Sequence, residues 1–61
     1  MHVHILALDQ DLRIEHAVHL LETSPASVAQ IAAEVGYAEG ATLRVLLRRR
    51  LGRGVREIRR P

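Results

Sequence analysis

From about residue 9 onward the chain is organised by three apolar stripes, each at helical spacing. Ile14, Ala17 and Leu21 recur every three or four residues with Leu20 beside them, and polar or charged side chains fill the intervening positions. That spacing lays one apolar face along a helix, predicted over about residues 9–23. Asp9 and Asp11 stand near its start, where the helix dipole favours acids. Ser24-Pro25 ends it, because a residue preceding proline is pushed out of the helical region. Ser27 with Gln30 three residues later is the side-chain pair of a capping box, so a second helix is predicted over 27–35 with Val28, Ile31, Ala32 and Val35 buried. Gly36 follows at once and can take the left-handed conformation that turns the chain sharply. A third helix is predicted over about 39–51, with Leu43, Leu46 and Leu47 inward, Leu51 as a candidate fourth, and Gly52 closing it. Val55 and Ile58 then suggest a last short turn over 54–59. Residues 1–8 are apolar with His2 and His4 interspersed, a lead-in that is either extended or the first turns of a helix.

These elements predict an all-α domain, a small bundle of three to four helices in which two helices joined by a tight turn form a helix-turn-helix. A length of 61 residues leaves room for one domain. With no Trp, no Phe and one Tyr, aliphatic side chains must supply the core, which suits packed helices. The lack of cysteine removes disulfides and thiolate zinc sites, and is consistent with a cytoplasmic location. No apolar run reaches the roughly 18 residues of a membrane span, and the N-terminus lacks the order of a signal peptide.

Charge changes the picture through its placement. The formal net charge is only +2, yet eight of the nine arginines lie from Arg44 onward, and six of the seven acids precede it. There is no lysine. Arginine presents a planar fork of donors suited to phosphate and to guanine, although a G·C-rich genome would give the same bias. The predicted third helix has Thr42, Arg44, Val45, Arg48 and Arg49 on its outward side, so the cationic end and the exposed face coincide. Successive residues are about 100° apart around a helix, so Arg48, Arg49 and Arg50 cannot all point the same way.

The succession Arg13-Ile14-x-x-Ala17-x-x-Leu20-Leu21, Ser27-Val28-x-x-Ile31-Ala32-x-x-Val35-Gly36-Tyr37 and Leu43-x-x-x-Leu47-x-x-x-Leu51-Gly52 closely resembles the AraC/XylS family of bacterial transcription regulators, over roughly residues 9–60. The resemblance implies a homeodomain-like helix-turn-helix that binds double-stranded DNA, and it matches the family's joining helix plus its second helix-turn-helix unit, a half-domain over 9–61. In that family the base-contacting side chains lie around Gly40, Ala41, Arg44 and Val45, three of which carry no hydrogen-bonding group in this sequence. The pattern departs from the family at Ala26, Glu39, Gly40, Val55 and Ile58. The candidate DNA-binding residues are therefore Thr42, Arg44, Val45, Arg48, Arg49, Ala41 and Ser27, with Arg44 as a candidate guanine reader, the alternatives for it being a phosphate clamp or a solvated side chain, and Arg48 and Arg49 on phosphates.

Competing chemistry has little support in the residues. His16 and His19, three apart, could share a metal ion with His2 and His4, but Glu15-His16-x-x-His19 is not the zincin order. No metal, cofactor or catalytic role is expected, since three short helices rarely enclose a pocket. Ser24 and Ser27 are explained by turn and cap chemistry. Arg53, Arg56, Arg59 and Arg60 read as a solvated basic tail, with a phosphate contact as the alternative for any one of them. The alternative to a DNA-binding module is a helical interaction module, covered by a second copy or a larger regulator, or a piece of such a regulator without autonomous DNA binding.

Overall fold

The computed structural model describes residues 10–60. The chain is all-α, with four helices and no strand among the described residues. They are α1 (Gln10–Thr23), α2 (Val28–Glu34), α3 (Gly40–Leu51) and α4 (Val55–Arg59). The lead-in of residues 1–8, and Asp9 at the expected start of the first helix, lie outside the described residues.

One apolar cluster joins the four helices. Ile14, Ala17 and Leu21 enter it from α1, Val28, Ile31, Ala32 and Val35 from α2 and its C-cap, Leu43 and Leu47 from α3, and Val55 and Ile58 from α4. Leu20, Leu46 and Tyr37 pack partly buried at its edge, and no polar side chain lies buried within it among the described residues. Leu51 departs from the expected inward orientation, being 38% exposed. It is the last residue of α3, and beyond it the chain turns at Gly52 so that Val55 and Ile58 close the core there instead.

Each helix end has a local cause. Ser27 Oγ accepts from the Gln30 N–H at 3.1 Å while Gln30 Oε1 accepts from the Ser27 N–H at 2.9 Å, which is a complete capping box. At the other end of α2 the Tyr37 N–H donates to the Ala32 carbonyl (2.8 Å) and the Gly36 N–H to the Ala33 carbonyl (3.2 Å). This crossed pair is the Schellman arrangement, and it needs a left-handed residue between its arms, which Gly36 provides at φ 97°. α3 begins without a side-chain cap, and Glu39 occupies the N-cap position. Gly40, unfavourable by helix propensity, sits where the start of α3 comes close to α2. A Cβ there would stand 3.3 Å from the Ala29 backbone and from Val28 Cγ1.

α4 is capped by a carboxylate of its own and tied to the rest by a guanidinium. The Gly54 N–H donates to Glu57 Oε1 at 2.8 Å. That backbone hydrogen bond, together with the charges of Arg48, Arg60 and Arg53, holds the Glu57 carboxyl below its ordinary value of 4.5, against a smaller desolvation effect that raises it. A group with a depressed folded-state pKa contributes stability that is present above its unfolded pKa and lost as pH falls through the folded one. Wild type is therefore expected to lose thermal stability on acidification below about pH 4.5 more steeply than Glu57→Gln, whose amide can keep the cap without titrating. Thermal midpoints followed by circular dichroism at several acidic pH values check this, and parallel curves would discard it.

Arg59 reaches back from α4 to the end of α1. Its Nε donates to the Leu21 carbonyl at 3.1 Å, and its Nη2 to the carbonyls of Ser24 (3.0 Å) and Ala26. α1 has no basic residue in its own last turn, so this guanidinium serves both the negative end of the helix dipole and the connecting loop. The expectation of a solvated tail fails for Arg59 for that reason.

Candidate nucleic-acid interface

The orientation of α3 follows from Leu43 and Leu47, both fully buried. Stepping about 100° per residue puts Val45 opposite them, flanked by Ala41 and Arg48 on one side and Thr42 and Arg49 on the other. All five are exposed, and Val45 is 52% exposed despite being apolar. Turn and cap chemistry hold this face in place. The Gly36 turn and the close approach at Gly40 set α3 against α2, and the Ser27–Gln30 box sets the start of α2. Ser27 is exposed with its oxygen engaged by the Gln30 N–H, which leaves its O–H free to donate outward.

The arginines of α3 point in separate directions. Arg50 turns toward α1, pairing with Asp11 and donating from Nη2 to Gln10 Oε1 at 3.0 Å. It is thereby removed from the outward face. A pair this exposed contributes at most about 1 kcal/mol, and its effect is mainly to orient the side chain. Arg48 leans over the turn into α4, where a Cβ on Gly54 would lie 2.7 Å from its Nη2. Arg49 projects from the exposed side. Arg44 is exposed on the flank of α3 that faces α4, where it borders an open depression of about 570 Å³ together with Val55, Arg56, Arg59 and Arg60.

The structure thus gathers Ala41, Thr42, Val45, Arg48 and Arg49 on one face, and sets Arg44 beside α4 and Ser27 at the start of α2. Reasoning from sequence missed Arg56 and Arg60 as members of a shaped cationic surface. The signal for them was the three- and four-residue spacing of Arg56, Arg59 and Arg60 on a segment already marked as helical by Val55 and Ile58. Arg13, the one arginine before Arg44, is not part of this surface. Its guanidinium lies over the Tyr37 ring, 5.4 Å from the centroid, and ties α1 to the turn between α2 and α3.

No group of three or more metal-ligating side chains is found among the described residues, which include His16 and His19. No helix among them is long and apolar enough to cross a membrane. The family model described as a helix-turn-helix domain matches residues 2–61. No curated protein and no solved structure matches the chain.

Proposed function

The chain belongs to the AraC-type helix-turn-helix family, a family of DNA-binding regulatory modules, and from that premise we propose that it binds specific duplex sequences in a transcription regulator by placing α3 in the major groove. The observation that carries this reading is the outward face of α3. It exposes Ala41, Thr42, Val45, Arg48 and Arg49, and no acidic residue occurs anywhere in the helix. A negatively charged duplex meets no carboxylate of this helix, and a bare helix is of a width that the groove admits.

Roles follow from position. Val45 and Ala41, apolar and central, suit contact with thymine methyl groups, and Thr42 supplies a hydroxyl for a base edge. Arg48 and Arg49 flank them and suit phosphates on either side of the groove, Arg48 by swinging away from the Gly54 turn, and Ser27 at the start of α2 adds a hydroxyl donor. Such an interface has little direct hydrogen-bonded readout, so most of its affinity comes from release of counterions.

Selection of binding sites from a random pool of duplexes, followed by titration of the selected sequence at several salt concentrations, tests the reading. An enriched motif and affinity that falls steeply with salt are expected. Arg49→Ala is expected to weaken binding to all sequences alike, and Val45→Ser to alter the preferred base at a single position. A pool that emerges unselected, with salt-independent binding, would rule the reading out.

A further inference from the structure

We propose that the depression between α3 and α4 is the seat of a backbone phosphate of the bound duplex, held by Arg59 as a fixed donor and by Arg44, Arg56 and Arg60 closing around it. This inference rests on the DNA-binding reading above and assigns to it a second contact surface, outside the outward face of α3.

Arg59 is the reason to regard the depression as built for an anion. A guanidinium has five N–H donors. Three are spent on the carbonyls of Leu21, Ser24 and Ala26 through Nε and Nη2, which leaves the two on Nη1. The three acceptors are neutral, so they fix the group in place without cancelling its charge. Holding a charged donor before the ligand arrives removes most of the ordering cost of binding.

The rest of the lining points to the same class of ligand. Arg44, Arg56 and Arg60 have exposed or partly exposed side chains, and no ion pair among the described residues joins them to a carboxylate. The single acid of this end, Glu57, does not line the depression; its carboxylate accepts from the Gly54 N–H and feels the charge of Arg60 from outside it. Val55 is the one other lining residue. The side chains therefore offer donors and no acceptors, and the wall has no aromatic ring on which a base could stack. Four like charges around one open volume repel each other until an anion enters, and only a group rich in acceptors matches them. Since Arg44 belongs to the helix that enters the groove, the anion within reach is a phosphate of the adjoining strand.

This assignment gives Arg44 a backbone role that fixes register and carries no sequence information, which is the phosphate-clamp alternative to a guanine contact. Fluorescence-anisotropy titration of two unrelated labelled duplexes against wild type, Arg44→Gln, the double variant Arg56→Gln/Arg60→Gln and Arg53→Gln decides it. Arg53 is an exposed arginine outside the depression, so its variant controls for loss of charge. Loss of one phosphate contact flattens the slope of log affinity against log salt by about 0.9, equivalent to roughly an eightfold loss at 0.1 M salt that fades toward 1 M.

The double variant and Arg44→Gln are expected to show that loss by the same factor on both duplexes, with an unchanged helical signal. Arg53→Gln is expected to lose less. Two results overturn the seat while leaving DNA binding intact. One is a double variant that binds as well as Arg53→Gln, and the other is an Arg44→Gln loss confined to one duplex. A wild type that binds neither duplex at low salt overturns the DNA-binding reading, and this inference with it.

Discussion

Replacing Leu47 by alanine is expected to remove about 2–5 kcal/mol of stability, the usual range for emptying a fully buried leucine position. Leu47 is fully buried where α3 meets the common core, so no part of the lost side chain is replaced by water contact. A domain of 61 residues has a total stability of about 3–9 kcal/mol on a per-residue scaling. The single change therefore consumes about a fifth of that or more, and the thermal midpoint should fall by at least about 8 °C. Val45→Ala, two residues earlier on the same helix but on the exposed side, should stay within about 0.5 kcal/mol of wild type. Thermal unfolding of the two variants by circular dichroism is thus also a test of which way α3 faces. Equal midpoints would mean that the helix is rotated from the orientation described, and the face assigned to DNA would no longer point outward.

Arg59→Ala is the second substitution expected to cost heavily. Three backbone carbonyls at the α1–α2 junction lose their donor at once, and α1 loses the cation at its negative end. The group is only partly buried, so water replaces some of what is lost. The expected cost is about 1–3 kcal/mol, within the range for bonds to a charged donor. Arg60→Ala, the adjacent arginine with an exposed side chain, should change stability by no more than about 0.5 kcal/mol. Lysine at position 59 keeps the charge but has a single nitrogen in place of the fork, so it should recover only part of the loss. If Arg59→Ala and Arg60→Ala unfold at the same temperature, the strap does not hold α4 to α1. The same residue forms part of the wall of the depression beside Arg44, so the proposed phosphate seat and the stability of the fold share it.

Helix existence was legible because it depends on spacing within a few residues. The stripe of Ile14, Ala17 and Leu21, the Ser27–Gln30 box and the glycine at position 36 are all local signals, and each appears in the structure as the spacing implies. The exposed side of α3 was legible for the same reason, since Leu43 and Leu47 define its opposite. Leu51 was misplaced because periodicity records the angle of a residue around its helix but not whether a neighbour reaches that far along it. Here α4 supplies Val55 and Ile58 to the space, and the end of α3 stays in water.

The arginines show where local reasoning stops. Their number, their late position and their identity as arginine are written in the chain, and those facts are enough to mark one end as cationic. Their separate fates are not. Arg50 pairs with Asp11, Arg59 straps three carbonyls, and Arg44 meets Arg56 and Arg60, in each case across a long stretch of intervening chain. Short-range torsional and hydrophobic preferences act between residues a turn apart and are readable in order along the chain. A flexible guanidinium ends wherever packing happens to bring an acceptor or another charge, and that depends on how the helices are stacked.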